Sequence, residues 1–143
     1  MFLGEFDHTL DDRGRIAIPA KFRPELNPGL VVTRGLDRCL LIWPLPEWHA
    51  ISTKLTALPL MHADARRMQR LLFAGAADMV PDRLGRILVP AFLREYAGLE
   101  GPVVIVGLLN RLEVWSQATW AAERSLAEQN SAQLAEHLFA LGV

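Results

Sequence analysis

An internal repeat constrains this chain more than any other feature. The stretch LDDRGRIAIPAKFR (Leu10–Arg23) returns as PDRLGRILVPAFLR (Pro81–Arg94). Asp11 falls on Asp82, Gly14-Arg15-Ile16 on Gly85-Arg86-Ile87, Pro19-Ala20 on Pro90-Ala91 and Arg23 on Arg94, all at an offset of 71 positions. Further on, Gly35, Leu40, Trp43 and Trp48 fall on Gly107, Leu112, Trp115 and Trp120 at an offset of 72. Two blocks matched in the same order mark two copies of one module. The expected organisation is a first module over 5–52, a helical linker over 53–76, a second module over 77–124 and a helical tail over 125–143.

Each copy predicts strand, charged turn, strand, short helix, strand, turn, strand, helix. Phe6, His8 and Leu10 alternate with polar residues, a strand signal. Asp11 to Gly14 supplies residues that tolerate a tight turn. Ile16 and Ile18 flank the small Ala17 in a second strand, which Pro19 ends while opening a helix. Strands are expected over Leu30–Arg34 and Cys39–Trp43, and in the second copy over Val103–Val106 and Leu112–Trp115. Gly98 sits where a helix C-cap belongs and Ser116 where an N-cap does. A sheet of four short strands has exposed edges and little core. Two copies interleaved into one closed barrel remove both problems. Met68, Leu71 and Leu72 in the linker, and Leu134, Leu138 and Leu141 on one helical face of the tail, are candidates for packing on the barrel or on a neighbouring subunit.

The chain of 143 residues is 51% hydrophobic and 22% charged, a globular composition with more apolar content than a small surface-rich domain hides easily. An oligomer is therefore expected. Net charge is −1, which argues against a uniformly basic coat but not against local basic patches. The single cysteine, Cys39, lies in the apolar run CLLIW and reads as a buried small side chain. Glu5 and Asp7 interrupt the N-terminus, so no secretory signal is expected. No run approaches the ~20 apolar residues that span a bilayer. The expected location is the cytoplasm, with no membrane partner.

Cations gather in the repeated block. Arg13, Arg15, Lys21 and Arg23 follow one another without an acid, as do Arg83, Arg86 and Arg94. A turn between strands presents such side chains to a DNA groove as a β-ribbon does. The planar arginine fork grips phosphate or a guanine edge with two hydrogen bonds. Asp11 stands four residues before Arg15, and Asp82 four before Arg86. Each pair reads either as a structural ion pair, worth about 0–1 kcal/mol when exposed, or as part of a binding site. The two readings combine if the aspartate orients the arginine and the arginine touches the ligand, since orientation in advance lowers the entropy lost on binding. Neighbouring arginines keep these aspartates ionised, which suits an ion pair better than a general acid. His8, His49, His62 and His137 are scattered without metal-ligand spacing, and neither a phosphate-cradling loop nor a nucleophile elbow is present. No enzyme, metal or cofactor is expected. The four tryptophans occupy two repeat-matched positions, which points to packing near the helix junctions.

The stretches MFLGEFDHTLDDRGRIAIPAKFR, CLLIWPLPEW, ARRMQRLLFAGA and DRLGRILVPAFLREYAGL resemble the MraZ family, up to about Trp120. The resemblance implies an α+β, β-rich fold in which two tandem SpoVT/AbrB-type modules interleave as a double swapped-hairpin β-barrel with flanking helices. It also implies a ring-shaped homo-oligomer, associated with the nucleoid. Such a ring binds direct repeats in double-stranded promoter DNA of the division and cell-wall gene cluster, lowering its transcription and that of its own gene. The family signature Asp-x-x-x-Arg falls on Asp11 and Arg15, and again on Asp82 and Arg86. Its basic residue before the glycine falls on Arg13; in the second copy that place is Leu84 and the cation stands one earlier, at Arg83. Arg13 and Arg15 are the expected DNA contacts, with Asp11 orienting and Lys21 on phosphate. Arg83 and Arg86, oriented by Asp82, form a second and unequal set. The competing expectation is a scaffold ring whose Asp–Arg turns are purely structural.

Overall fold

The computed structural model describes residues 1–142. The first module runs through β1 (Phe2–Thr9), β2 (Arg15–Ala17), a 3-10 turn (Ala20–Phe22), α1 (Arg23–Leu26), β3 (Leu30–Arg34), β4 (Leu40–Pro44) and α2 (Leu45–Thr56). Helix α3 (Ala63–Phe73) leads to the second module, made of β5 (Ala77–Met79), β6 (Arg86–Leu88), α4 (Ala91–Ala97), β7 (Pro102–Leu109), β8 (Leu112–Ser116) and α5 (Gln117–Gln129). Helix α6 (Ser131–Phe139) follows. The fold is α+β. Helices occupy more of the chain than strands, while the strands build the core.

The two modules interleave. One antiparallel sheet runs β1-β7-β8-β4-β3-β5, and a separate two-stranded ribbon pairs β2 with β6. Within each module only the third and fourth strands pair; the first and second strands find partners in the other copy. Strand β4 also meets β8 at the centre, so the sheet order reads as two copies facing each other. The copies differ in one arm: β1 pairs along eight residues of β7, whereas β5 pairs along three of β3.

Period-two alternation explains the core. Ile16 and Ile18 from one side of the ribbon, and Ile87 and Val89 from the other, point inward onto Val32, Ile42, Ile105, Leu112 and Val114 of the large sheet. Phe2 and Phe6 meet the Phe22 ring edge-on at 5.2 and 5.3 Å. Burying each large aliphatic side chain contributes roughly 1.5–3 kcal/mol, and these come from both copies into one cluster. Trp43 and Trp115 are buried; Trp115 stacks at a tilt on Trp120 and Trp48 meets Phe73 edge-on. Cys39 is fully buried and its Sγ donates to the Leu36 carbonyl at 3.2 Å. Burial, helped by nearby Glu113, pushes its thiol pKa up to about 12.

The expected caps are in place. Gly98 is left-handed at the end of α4, and the Ser116 side chain accepts from the Thr119 N–H at the start of α5. The tail differs from the single helical face anticipated. It breaks at Asn130, whose φ of −113° and ψ of 17° leave the helix while its Nδ2 donates back to the Leu126 carbonyl. Asparagine competes with helical backbone bonds in this way. Leu134 and Leu138 share α6, but Leu141 lies in the turn beyond it; all three are exposed. Among the described residues no helix is long and apolar enough to cross a membrane.

Candidate functional site

The two charged turns adopt one hydrogen-bonding pattern. In the first, the Gly14 N–H donates to the Asp11 carbonyl at 3.1 Å and the Asp11 N–H to the Arg15 carbonyl at 2.9 Å. The Asp11 carboxylate turns inward on the loop. Its Oδ1 accepts from the Arg13 and Arg15 N–H groups at 2.9 and 2.8 Å, and its Oδ2 from Arg15 Nε at 2.8 Å. In the second turn Asp82 Oδ1 accepts from the Leu84 and Arg86 N–H groups, both at 2.9 Å, and Oδ2 from Arg86 Nε at 2.8 Å. The backbone N–H of Arg15 is the foremost cause that holds the Asp11 carboxyl below the ordinary aspartate range; its guanidinium and the Arg13 N–H add to it against partial desolvation. Arg86 and Leu84 do the same for Asp82.

Glycine is required at the fourth position of each turn. Gly14 has φ +82° and Gly85 φ +76°, a region unfavourable to L side chains. Both glycines are buried although the turns around them are exposed, because an arginine from the other module covers each one. A Cβ at Gly14 would stand 2.8 Å from Arg94 Cζ, and one at Gly85 would stand 2.2 Å from Arg23 Nε. Arg94 Nε donates to the Val89 carbonyl and Arg23 Nε to the Ile18 carbonyl, each at 3.1 Å. The Val89 N–H donates to the Gly14 carbonyl at 2.9 Å, and the Ile18 N–H to the Gly85 carbonyl at 2.8 Å. Sequence reading matched Arg23 with Arg94 but gave neither a partner. The usable signal was that a glycine and an arginine recur together in both copies.

The ribbon brings the signature arginines together. Arg15 pairs with Leu88 and Ala17 with Arg86 across β2–β6, with Ile16 opposite Ile87 between them. The isoleucines are buried, so Arg15, Ala17, Arg86 and Leu88 share the outward face. Each signature arginine uses Nε on its aspartate, and among the described residues neither Nη atom of Arg15 or Arg86 takes a hydrogen-bond partner. Arg13 and Arg83 are exposed in the turns beside them. Lys21 stands apart from this group. Its Nζ lies 4.7 Å from the Phe6 ring centre and 5.2 Å from that of Phe22, a cation–π seat in the 3-10 turn before α1. Among the described residues no three His, Cys, Asp or Glu side chains gather as a metal site. The arrangement is a narrow ribbon with paired, pre-oriented guanidinium forks, suited to phosphate or base-edge acceptors.

Comparison with known proteins gives the same duplication. The MraZ protein family, described as antitoxin-like, matches residues 1–71 and again 72–141. A protein named transcriptional regulator MraZ from Syntrophomonas wolfei is 46% identical over 143 residues, covering 100% of both chains. One of the same name from Desulfitobacterium hafniense is 47% identical over 143 residues, again 100% of both. Another from Carboxydothermus hydrogenoformans is 52% identical over 120 residues, 84% of each chain.

Proposed function

Because this chain belongs to the MraZ family, we propose that it regulates transcription by binding double-stranded DNA sequence-specifically through the outward face of the β2–β6 ribbon. The observation that carries this reading is the joint placement of Arg15 and Arg86 on one face, each fixed at Nε by an aspartate, with its Nη fork free of partners among the described residues. A fork oriented in advance loses little freedom on meeting a phosphate or a guanine edge. Arg13 and Arg83 extend the face, and Arg13 makes the first turn the stronger reader. Lys21 adds field near the phosphates from its seat on Phe6.

The DNA target in this reading is a set of direct repeats in the promoter of the division and cell-wall gene cluster, whose transcription, with that of its own gene, the protein lowers in the cytoplasm, at the nucleoid. The protein acts as a ring of identical subunits. The exposed Leu126, Leu134, Leu138, Phe139 and Leu141 of α5, α6 and the turn after α6 support assembly, since large apolar side chains left exposed are the kind that a subunit contact covers. A ring presents the ribbon many times to repeated sites, and linked contacts add about 10²–10⁴ in avidity.

The test is a shift assay on the promoter fragment with Arg15→Ala, alongside a measured mass. The expected result is an intact assembly that has lost ~10-fold or more in affinity, the scale of one lost arginine contact. An intact mutant that binds as tightly as the parent removes this face from DNA reading. The competing reading, a protein-binding scaffold, is favoured by the two 2.8 Å Asp–Arg contacts, which serve a structural turn equally well. In that case the mutant changes assembly or stability and the parent does not shift the DNA.

A further inference from the structure

We infer that Arg94 and Arg23 are cross-module positioning residues, each holding the DNA-facing turn of the module to which it does not belong. The inference rests on the ribbon being the DNA-binding face, and it adds that the first turn is held in shape from the second module.

The geometry is reciprocal. Arg94 begins in α4, folds back so that Nε meets the Val89 carbonyl, and lays its guanidinium on Gly14, 80 positions away in the chain. Val89 in turn donates its N–H to the Gly14 carbonyl. One residue of the second module therefore grips the glycine at its carbonyl and steers the arginine that covers its α-carbon. Arg23, Ile18 and Gly85 repeat the arrangement in the opposite direction. Gly14 lies directly between Arg13 and Arg15, whose N–H groups both bond Asp11 Oδ1. A shift of Gly14 tilts both arginines at once. The guanidinium suits this seat because it is flat: it covers a bare glycine face and still directs Nε to a carbonyl. Among the described residues neither arginine has a carboxylate partner, so no ion pair explains its placement.

The consequence reverses what chain connectivity suggests. The turn bearing Arg13 depends on Arg94, and the turn bearing Leu84 depends on Arg23. Truncating Arg94 then harms DNA reading more than truncating Arg23, although Arg23 shares a module with Arg13 and Arg15.

The experiment compares full-length Arg94→Met, Arg23→Met and Arg94→Lys with the parent, each checked for native mass. Without DNA, hydrogen-exchange mass spectrometry follows peptides covering 10–16 and 81–87. Arg94→Met should speed exchange in the first peptide about tenfold and leave the second unchanged, since local opening is set by local contacts; Arg23→Met should do the reverse. Arg94→Lys keeps the charge but lacks the flat fork, and should resemble Arg94→Met. Where the methionine variant does not assemble, the lysine variant carries the comparison. With DNA, Arg94→Met should lose more affinity for the repeat-bearing fragment than Arg23→Met, and more for that fragment than for unrelated DNA. Exchange that rises in the arginine's own module, or in neither turn, overturns the inference. So does full DNA affinity in Arg94→Lys, which would make Arg94 a simple phosphate contact. Failure of the parent to bind the fragment counts against the DNA reading instead, and leaves the exchange result to decide the clamp.

Discussion

The first and second modules build the same turn around different side chains. Asp11 and Asp82 accept the same set of hydrogen bonds, and Gly14 and Gly85 take nearly the same φ. What differs are the two exposed positions before the glycine, Asp12 and Arg13 in one copy and Arg83 and Leu84 in the other. Turn shape is therefore set by aspartate, glycine and the covering arginine, while the two positions between aspartate and glycine are free to vary. The comparison teaches that a shared scaffold does not require a shared contact. Within the turns, it places the inequality of the copies in the two side chains before the glycine and leaves the backbone hydrogen-bonding pattern equivalent.

The sharpest way to break the equivalence of the scaffolds is to fill the glycines. Gly14→Ala and Gly85→Ala each combine an unfavourable φ with a clash on a guanidinium, and should destabilise by roughly 2–4 kcal/mol in urea unfolding. Gly85→Ala should be the worse of the two, because its Cβ would stand at 2.2 Å rather than 2.8 Å from the nearest arginine atom. Tolerance of either within about 0.5 kcal/mol, the level of an ordinary surface change, would mean that the arginine cover is loose.

Exchanging the side chain directly before the glycine tests the inequality itself. Arg13→Leu should weaken promoter binding about tenfold and Leu84→Arg should strengthen it by a similar factor, each worth ~1.4 kcal/mol. Leu84→Arg should also steepen the salt dependence by up to ~0.9 in log–log slope for each new phosphate contact. Equal and negligible effects of both changes would leave the two turns functionally alike.

Acid titration asks whether the aspartates matter equally. Their folded pKa values lie below the ordinary 3.8. A depressed carboxylate contributes stability above its unfolded pKa and loses it as pH falls through the folded value. The stability gap between the parent and Asp11→Asn should thus be full at pH 7, shrink only below about pH 4, and close at the lowest pH; Asp82→Asn should follow the same course. If Asp11 were not held by its turn, urea melts at several pH values would show a gap that does not change with pH. The smallest effect belongs to the β7–β8 turn. Leu109 takes φ +69° where the matched Asp37 takes φ +62°. Aspartate and asparagine tolerate this region better than leucine. Leu109→Asn should raise stability by under ~1 kcal/mol, read as a small rise in thermal midpoint.

Much of this was legible because the repeat doubled every local signal. Ile16 and Ile18 alternate in the sequence and point inward in the structure; Gly98 and Ser116 sit where the caps are. The strands Leu30–Arg34 and Leu40–Pro44 lie at or within one residue of the spans their patterns suggest. The Asp11–Arg15 and Asp82–Arg86 contacts were also readable, since four residues bent by a glycine bring the two groups together. Contacts between modules were not. Arg94 reaches Gly14 across 80 positions, and no spacing rule encodes which copy an arginine will cover. The short β5 and the break at Asn130 escaped for a related reason. Apolar periodicity runs through both places, and a backbone bond from one asparagine side chain decided the second.

Cys39 has a consequence for watching this molecule move. Its thiol is fully buried and, with a pKa near 12, stays protonated at neutral pH. Alkylating reagents attack the thiolate, so the closed protein is nearly silent to them. Labelling then records only the moments when the turn between β3 and β4 opens. This one sulfur is a natural clock for local opening beside β4, and its rate separates a variant that loosens the large sheet from one that loosens a charged turn alone.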